Sequence, residues 1–135
     1  MDAKEYLSRA FNLNRRIKAK ERQLKSLKLQ VPYSGPLYGD VKVDTNMRHS
    51  AVEYSAIRQV SLSDEIEEDK KELAKVMKST SSVIKKLNDT EMEIILEMRY
   101  LMFLSWDEII SRLSYSERYI FLLHSRALKR IKAYI

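Results

Sequence analysis

Every glycine and every proline of the chain falls within one stretch of eight residues, at Pro32, Gly35, Pro36 and Gly39. On either side the sequence runs on without a helix breaker. Sandwiches and barrels place Gly and Pro at many tight turns, so two of each cannot build one. The reading is therefore an all-α chain interrupted once, with residues 31–50 as a connector. A connector of that length is unusual inside a compact domain. It has room for one short strand-like piece at Val41–Val43, and it carries Tyr33 and Tyr38 as possible packing contacts.

The helices flanking the connector are seamed. Before it, Tyr6, Ala10, Leu13, Ile17, Leu24 and Leu27 recur at heptad steps, with Lys20 in the gap. After it, Ser50 and Glu53 form a capping box that predicts a second helix over about 51–87. Its seam runs through Ile57, Val60, Ile66, Leu73, Met77, Thr80, Ile84 and Leu87. Such a helix is ~55 Å long, more than a small domain buries. Residues 1–87 therefore read as a long helical hairpin or coiled coil, whose core is completed within the chain or by another subunit, and a homo-oligomer is expected. The acidic run Asp64, Glu65, Glu67, Glu68 and Asp69, followed by Lys70 and Lys71, is a solvated face with i,i+4 pairing or a partner for the basic first helix.

Charge narrows the function. The chain carries 25 Lys and Arg against 19 Asp and Glu, a net +6. Residues 1–30 alone hold nine basic and three acidic side chains. From residue 116 onward Glu117 is the one acid, against Arg118, Arg126, Lys129, Arg130 and Lys132. Basic surfaces attract polyanions, nucleic acid among them. With no cysteine and two histidines, a disulfide framework, a thiolate zinc site and a multi-histidine metal site are all excluded, and a reducing compartment fits. Gly35 and Gly39 lack the following Lys-Ser/Thr of a phosphate-binding loop. No motif brings Ser, His and Asp together, so neither an enzyme nor a cofactor is expected. No apolar run approaches the ~20 residues of a membrane span, and the first residues show no signal-peptide core.

From residue 88 the rhythm shortens. Thr90 with Glu93 predicts the start of a helix reaching about Phe103. Ser105 with Glu108 starts one over Trp106–Leu113, and Ser114 or Ser116 starts a last one. Three short helices with a tight final turn outline a helix-turn-helix domain over 88–135. Counting from Trp106, apolar side chains fall at the fourth, eighth, tenth, fifteenth and eighteenth positions: Ile109, Leu113, Tyr115, Ile120 and Leu123. These are the positions such a motif buries. Trp106 is expected to anchor that core and His124 to be structural.

The same stretch resembles region 4 of the sigma-70 family. The resemblance lies in LEMRYL at 96–101, LSWDEII at 104–110, YSERYI at 115–120 and RAL with following bases at 126–130. Across its whole length the chain is also similar to small prophage proteins of low-GC Gram-positive bacteria, near the ArpU and RinA groups of phage late-transcription regulators. The residues carrying this are Ala3–Leu7, Arg99–Leu101, Trp106–Ile109, Tyr115, Tyr119, His124 and Ala127. The resemblance implies a phage-derived, DNA-binding transcriptional regulator in the cytoplasm of a bacterial host. Its partners would be double-stranded DNA and RNA polymerase. Two residues depart from the pattern. Ile110 replaces the usual small Ala where the helices cross, and Ser114 replaces the usual Gly of the turn. A non-Gly residue in a left-handed turn costs ~1 kcal/mol.

By that analogy the groove-facing side of the last helix is Ser116, Glu117, Arg118, Phe121, Leu122 and Ser125. Arg118 is the candidate base contact, and Glu117 can accept from cytosine. Arg126, Lys129, Arg130 and Lys132 are the candidate phosphate contacts. Phe121 and Leu122 suit thymine methyls or a protein surface. Two other readings remain open: a helical protein-interaction module that has lost DNA binding, and a small terminase-like packaging oligomer.

Overall fold

A computed structural model describes residues 1–30 and 45–135. The described residues form five α-helices and no strand: α1 Ala3–Gln30, α2 Thr45–Lys85, α3 Thr90–Leu96, α4 Trp106–Leu113 and α5 Glu117–Ile131. A π-helical turn, Glu97–Leu101, extends α3, and a 3-10 turn, Lys132–Tyr134, ends α5. The fold is all-α, as the placement of Gly and Pro predicts.

Helix ends follow local chemistry. Asp2 opens α1, its carboxylate accepting from the Glu5 N–H at 2.8 Å. α2 is already helical at Thr45, so Ser50 and Glu53 lie inside it and cap nothing. His49 Nε2 instead sits 3.0 Å from Glu53 Oε1, an i,i+4 pair on the helix surface. Val41–Val43, Tyr33 and Tyr38 lie outside the described residues. After α2, Asn88 takes a left-handed conformation at φ 50°, which Asn tolerates better than most residues. The next helix is capped by Asp89, which accepts from the Met92 N–H at 3.1 Å; Thr90 is the first helical residue and not the cap.

The chain divides into two compact units: Met1–Asn14 with Glu72–Ile135, and Arg15–Lys71. The break expected at residue 87 is therefore not where the chain divides. In the first unit one core gathers Ala3 and Leu7 from α1, Val83, Ile84 and Leu87 from the end of α2 and just beyond it, Met92 and Leu96 from α3, Tyr100, and Ala127 and Ile131 from α5. The two ends of the sequence thus share one apolar interior. Phe103 stands at φ 60°, a conformation disfavoured for a bulky side chain. Its ring packs against Phe11 with centroids 6.1 Å apart.

The second unit pairs Arg15–Gln30 of α1 with Thr45–Lys71 of α2. Ile17, Leu62 and Ile66 are its buried apolar side chains. Lys20, which fills the gap in the heptad pattern, places its Nζ 2.8 Å from Asp69 Oδ2 and 3.7 Å from Glu65 Oε1. Both Lys20 and Asp69 are largely covered, so each needs the other. A polar pair of this kind inside a helix seam fixes register more than it adds stability. Glu21 and Lys70 add a looser pair at 3.9 Å. The α2 seam departs from the expected one at its N-terminal end. Ile57 and Val60 stand in solvent at 69% and 63% exposure, while Leu62 is fully buried. The buried side chains of this stretch are Leu62, Ile66, Val76, Thr80, Val83, Ile84 and Leu87, with Asp69 and Leu73 half-buried between them. The expected seam holds from Ile66 through Thr80 and Ile84 to Leu87 and fails at Ile57 and Val60, where Leu62 is buried instead.

Candidate nucleic-acid interface

The terminal helices are joined by a tight turn. Ser105 caps α4, its Oγ accepting from the Glu108 N–H at 3.2 Å. α4 ends at Ser114 in the left-handed region, φ 56° and ψ 23°, with its N–H donating to the Ile110 carbonyl. Ser116 caps α5 by accepting from the Tyr119 N–H at 3.1 Å. The connection is therefore Ser114, Tyr115 and Ser116. Ser114 bears the left-handed conformation usually given to glycine, and Ser116, not Ser114, starts the helix.

Burial sorts α5 into two faces. Ile120, Leu123, Ala127 and Ile131 are buried, and Ile109 of α4 is fully buried with them. Leu113 is half-buried. Tyr115, expected in the core, is 38% exposed. Its hydroxyl donates to Glu91 Oε1 at 3.3 Å, and that of Tyr119 donates to Glu91 Oε2 at 2.8 Å. One α3 carboxylate thus holds the turn and the first turn of α5. It raises the Tyr115 phenol pKa through its charge and that of Tyr119 through the hydrogen bond.

On the opposite face Arg118, Leu122, Ser125 and Lys129 follow at i, i+4, i+7 and i+11, all exposed. Ser116, Glu117, Phe121, Arg126 and Arg130 are exposed as well. Arg118, Arg126, Lys129 and Lys132 make no ion pair among the described residues. Two of the expected contacts have work inside the protein. Arg130 donates to the Leu87 carbonyl and lies 3.7 Å from Asp89, so it clamps the α2–α3 junction. Phe121 packs its ring against Trp106, centroids 5.1 Å apart.

Trp106 is half-buried and is not the centre of the core. It joins a ring cluster instead. His124 meets its edge at 4.6 Å, and the Arg99 guanidinium sits over it at 4.8 Å while donating to the Leu104 carbonyl at 3.0 Å. Tyr100 stacks on His124 and shares a 2.7 Å hydrogen bond between its hydroxyl and Nε2. Burial pushes the Tyr100 phenol up to about 12, against the opposing pull of Arg99. Burial, then the charges of Lys4 and Arg99, lower His124 from 6.5 to about 4. Both groups are neutral at pH 7. Beside them opens a cleft of about 670 Å³, walled by α1 residues including Lys4 and Phe11 and by Arg99, Trp106 and Phe121.

The lowered His124 has a measurable consequence. Unfolded, it binds a proton below about 6.5; folded, it resists one until about 4. The unfolded state therefore takes up more protons in that window, and stability falls as pH drops from 6.5 to 4. Chemical denaturation across this range should show a loss in the wild type that His124→Gln lacks. Parallel curves for the two proteins would contradict the assignment.

A family model described as a protein of unknown function (DUF1492) matches residues 33–132. The chain belongs to this family. No curated protein and no solved structure matches it. The DUF1492 match takes in α2 to α5, and so the outward face of α5, but begins after α1. No described helix is long and apolar enough to cross a membrane, and the described residues hold no cluster of potential metal ligands. Sequence reasoning missed Glu91 and Asp89, and gave Arg99 no role, although these residues brace α4 and α5 from outside them. No spacing rule points to a carboxylate shared by two tyrosines from other helices.

Proposed function

We propose that this chain is a phage-derived, DNA-binding transcriptional regulator that reads duplex DNA through α5 and contacts RNA polymerase with the adjoining apolar surface. The observation that supports it most is the outer face of α5, which presents Arg118, Leu122, Ser125 and Lys129 to solvent. Arg126 and Lys132 flank it, and none of the four cations is neutralised by an ion pair among the described residues.

The division of labour follows from reach and chemistry. Arg118 lies in the first turn of α5, the part of a recognition helix that meets base edges, and a guanidinium reads the paired acceptors of guanine. Glu117 accepts from cytosine, and Leu122 covers a thymine methyl or an apolar spot on the polymerase. Arg126, Lys129 and Lys132 lie further along and hold phosphates, which supplies affinity and orientation. Arg130 contributes chiefly by clamping the junction before α3.

Sequencing DNA fragments captured by the purified protein tests this reading. One enriched motif is expected. Arg118→Ala should lose ~1–3 kcal/mol of discrimination at a single base pair, while Lys129→Ala should weaken all fragments alike. Captured fragments no different from the input library would sink the proposal.

A further inference from the structure

Among the described residues, the second unit carries an uncovered face whose chemistry is unlike that of α5. On α2, Ile57, Ser61, Asp64 and Glu68 follow at steps of four, three and four, all exposed. Ile57 and the adjacent Val60 are apolar and more than three-fifths exposed. These residues line a cleft of about 860 Å³, completed by the Lys20 side chain and by Glu65 and Asp69. The stripe is apolar at one end and acidic at the other. Clustered carboxylates repel nucleic acid, so its occupant is a protein surface that is apolar at one end and basic at the other.

The outer face of α1 has that composition. Lys18, Arg22, Lys25 and Leu29 are exposed, and Leu29 is an apolar side chain left 56% open. Lys18, Arg22 and Lys25 make no ion pair among the described residues. Read from Leu29 backwards, the steps are four, three and four. The two stripes therefore match position by position when they run in opposite directions.

We propose that a second copy of this chain lays its α1 antiparallel on the outer face of α2, seating Leu29 on Ile57, Lys25 beside Ser61, Arg22 on Asp64 and Lys18 on Glu68. The contact buries the exposed apolar end of each stripe, and the charged ends set direction and register. If each copy's α1 seats on the other's α2 the pair closes as a two-fold dimer; one such contact per pair yields a ring or a chain according to the rotation between copies. The inference does not depend on what α5 binds.

Sedimentation of the full-length chain tests it. The wild type self-associates in the micromolar range expected of a specific interface, and added salt weakens it. Lys18→Glu with Arg22→Glu, and separately Asp64→Lys with Glu68→Lys, juxtapose like charges and should each weaken association by about a hundredfold. Mixing the two double variants should restore it, as should combining all four substitutions in one chain. Circular dichroism checks that the helices persist, and Ile57→Asp, at an exposed site, supplies an independent break. A wild type that stays monomeric, or double variants that do not complement each other, would overturn the proposal.

Discussion

Residues 88–135 produced alone will not fold, although they contain α3, α4 and α5 whole. Their core is completed from outside the segment. Leu7, Ile84 and Leu87 are fully buried, and Ala3 and Val83 nearly so, in the cluster that also holds Met92, Leu96, Tyr100, Ala127 and Ile131. Removing residues 1–87 strips one side of that cluster and leaves Ala127 and Ile131, both fully buried, facing water. It also removes the Leu87 carbonyl that receives Arg130. A segment of under 50 residues has little apolar surface to bury in any case. Circular dichroism of the segment should show weak helicity and no cooperative melt. In the intact chain Leu7→Ala should cost about 3 kcal/mol or more, a large share of the 5–15 kcal/mol that holds a domain of this size together. A segment that melts cooperatively by itself, or a Leu7→Ala chain as stable as the wild type, would contradict the shared core.

That dependence marks where the sequence stops being legible. The helix class and the terminal motif are local properties, written in the placement of Gly and Pro and in the caps at Ser105 and Ser116. The pairing of the two ends of the chain is not local. Leu7 and Ile131 are each one apolar residue on an amphipathic helix, and nothing in their spacing names the other. The start of the α2 seam is illegible for a related reason: Ile57 and Val60 fit the apolar pattern but face solvent, while Asp69 lies inward because Lys20 meets it there. At the candidate interface the outward face of α5 follows from helical periodicity. The second roles of Arg130 and Phe121 do not, since they depend on Asp89 and Trp106 arriving from other elements.

Binding of duplex DNA should be steeply salt-dependent. Four cations on the α5 side, Arg118, Arg126, Lys129 and Lys132, are exposed and unpaired among the described residues. Each phosphate neutralised contributes about −0.9 to the slope of log affinity against log salt. The three phosphate contacts, Arg126, Lys129 and Lys132, give a slope of about −2.7, a loss of roughly 40-fold between ~50 and ~200 mM salt. Neutralising two of them with Arg126→Gln and Lys129→Gln should flatten the slope by about 1.8 and leave the preferred sequence unchanged. Arg130→Gln should act differently. It loosens the junction before α3, so its main effect falls on thermal stability.

The salt titration of the wild type beside the Arg126→Gln/Lys129→Gln chain tests the central claim most directly, because it asks whether the open face of α5 is where the polyanion sits. A steep slope in the wild type that drops by about two phosphate equivalents in the variant is the expected result. An affinity that does not respond to salt, or two titrations with the same slope, would place any DNA contact elsewhere on the molecule.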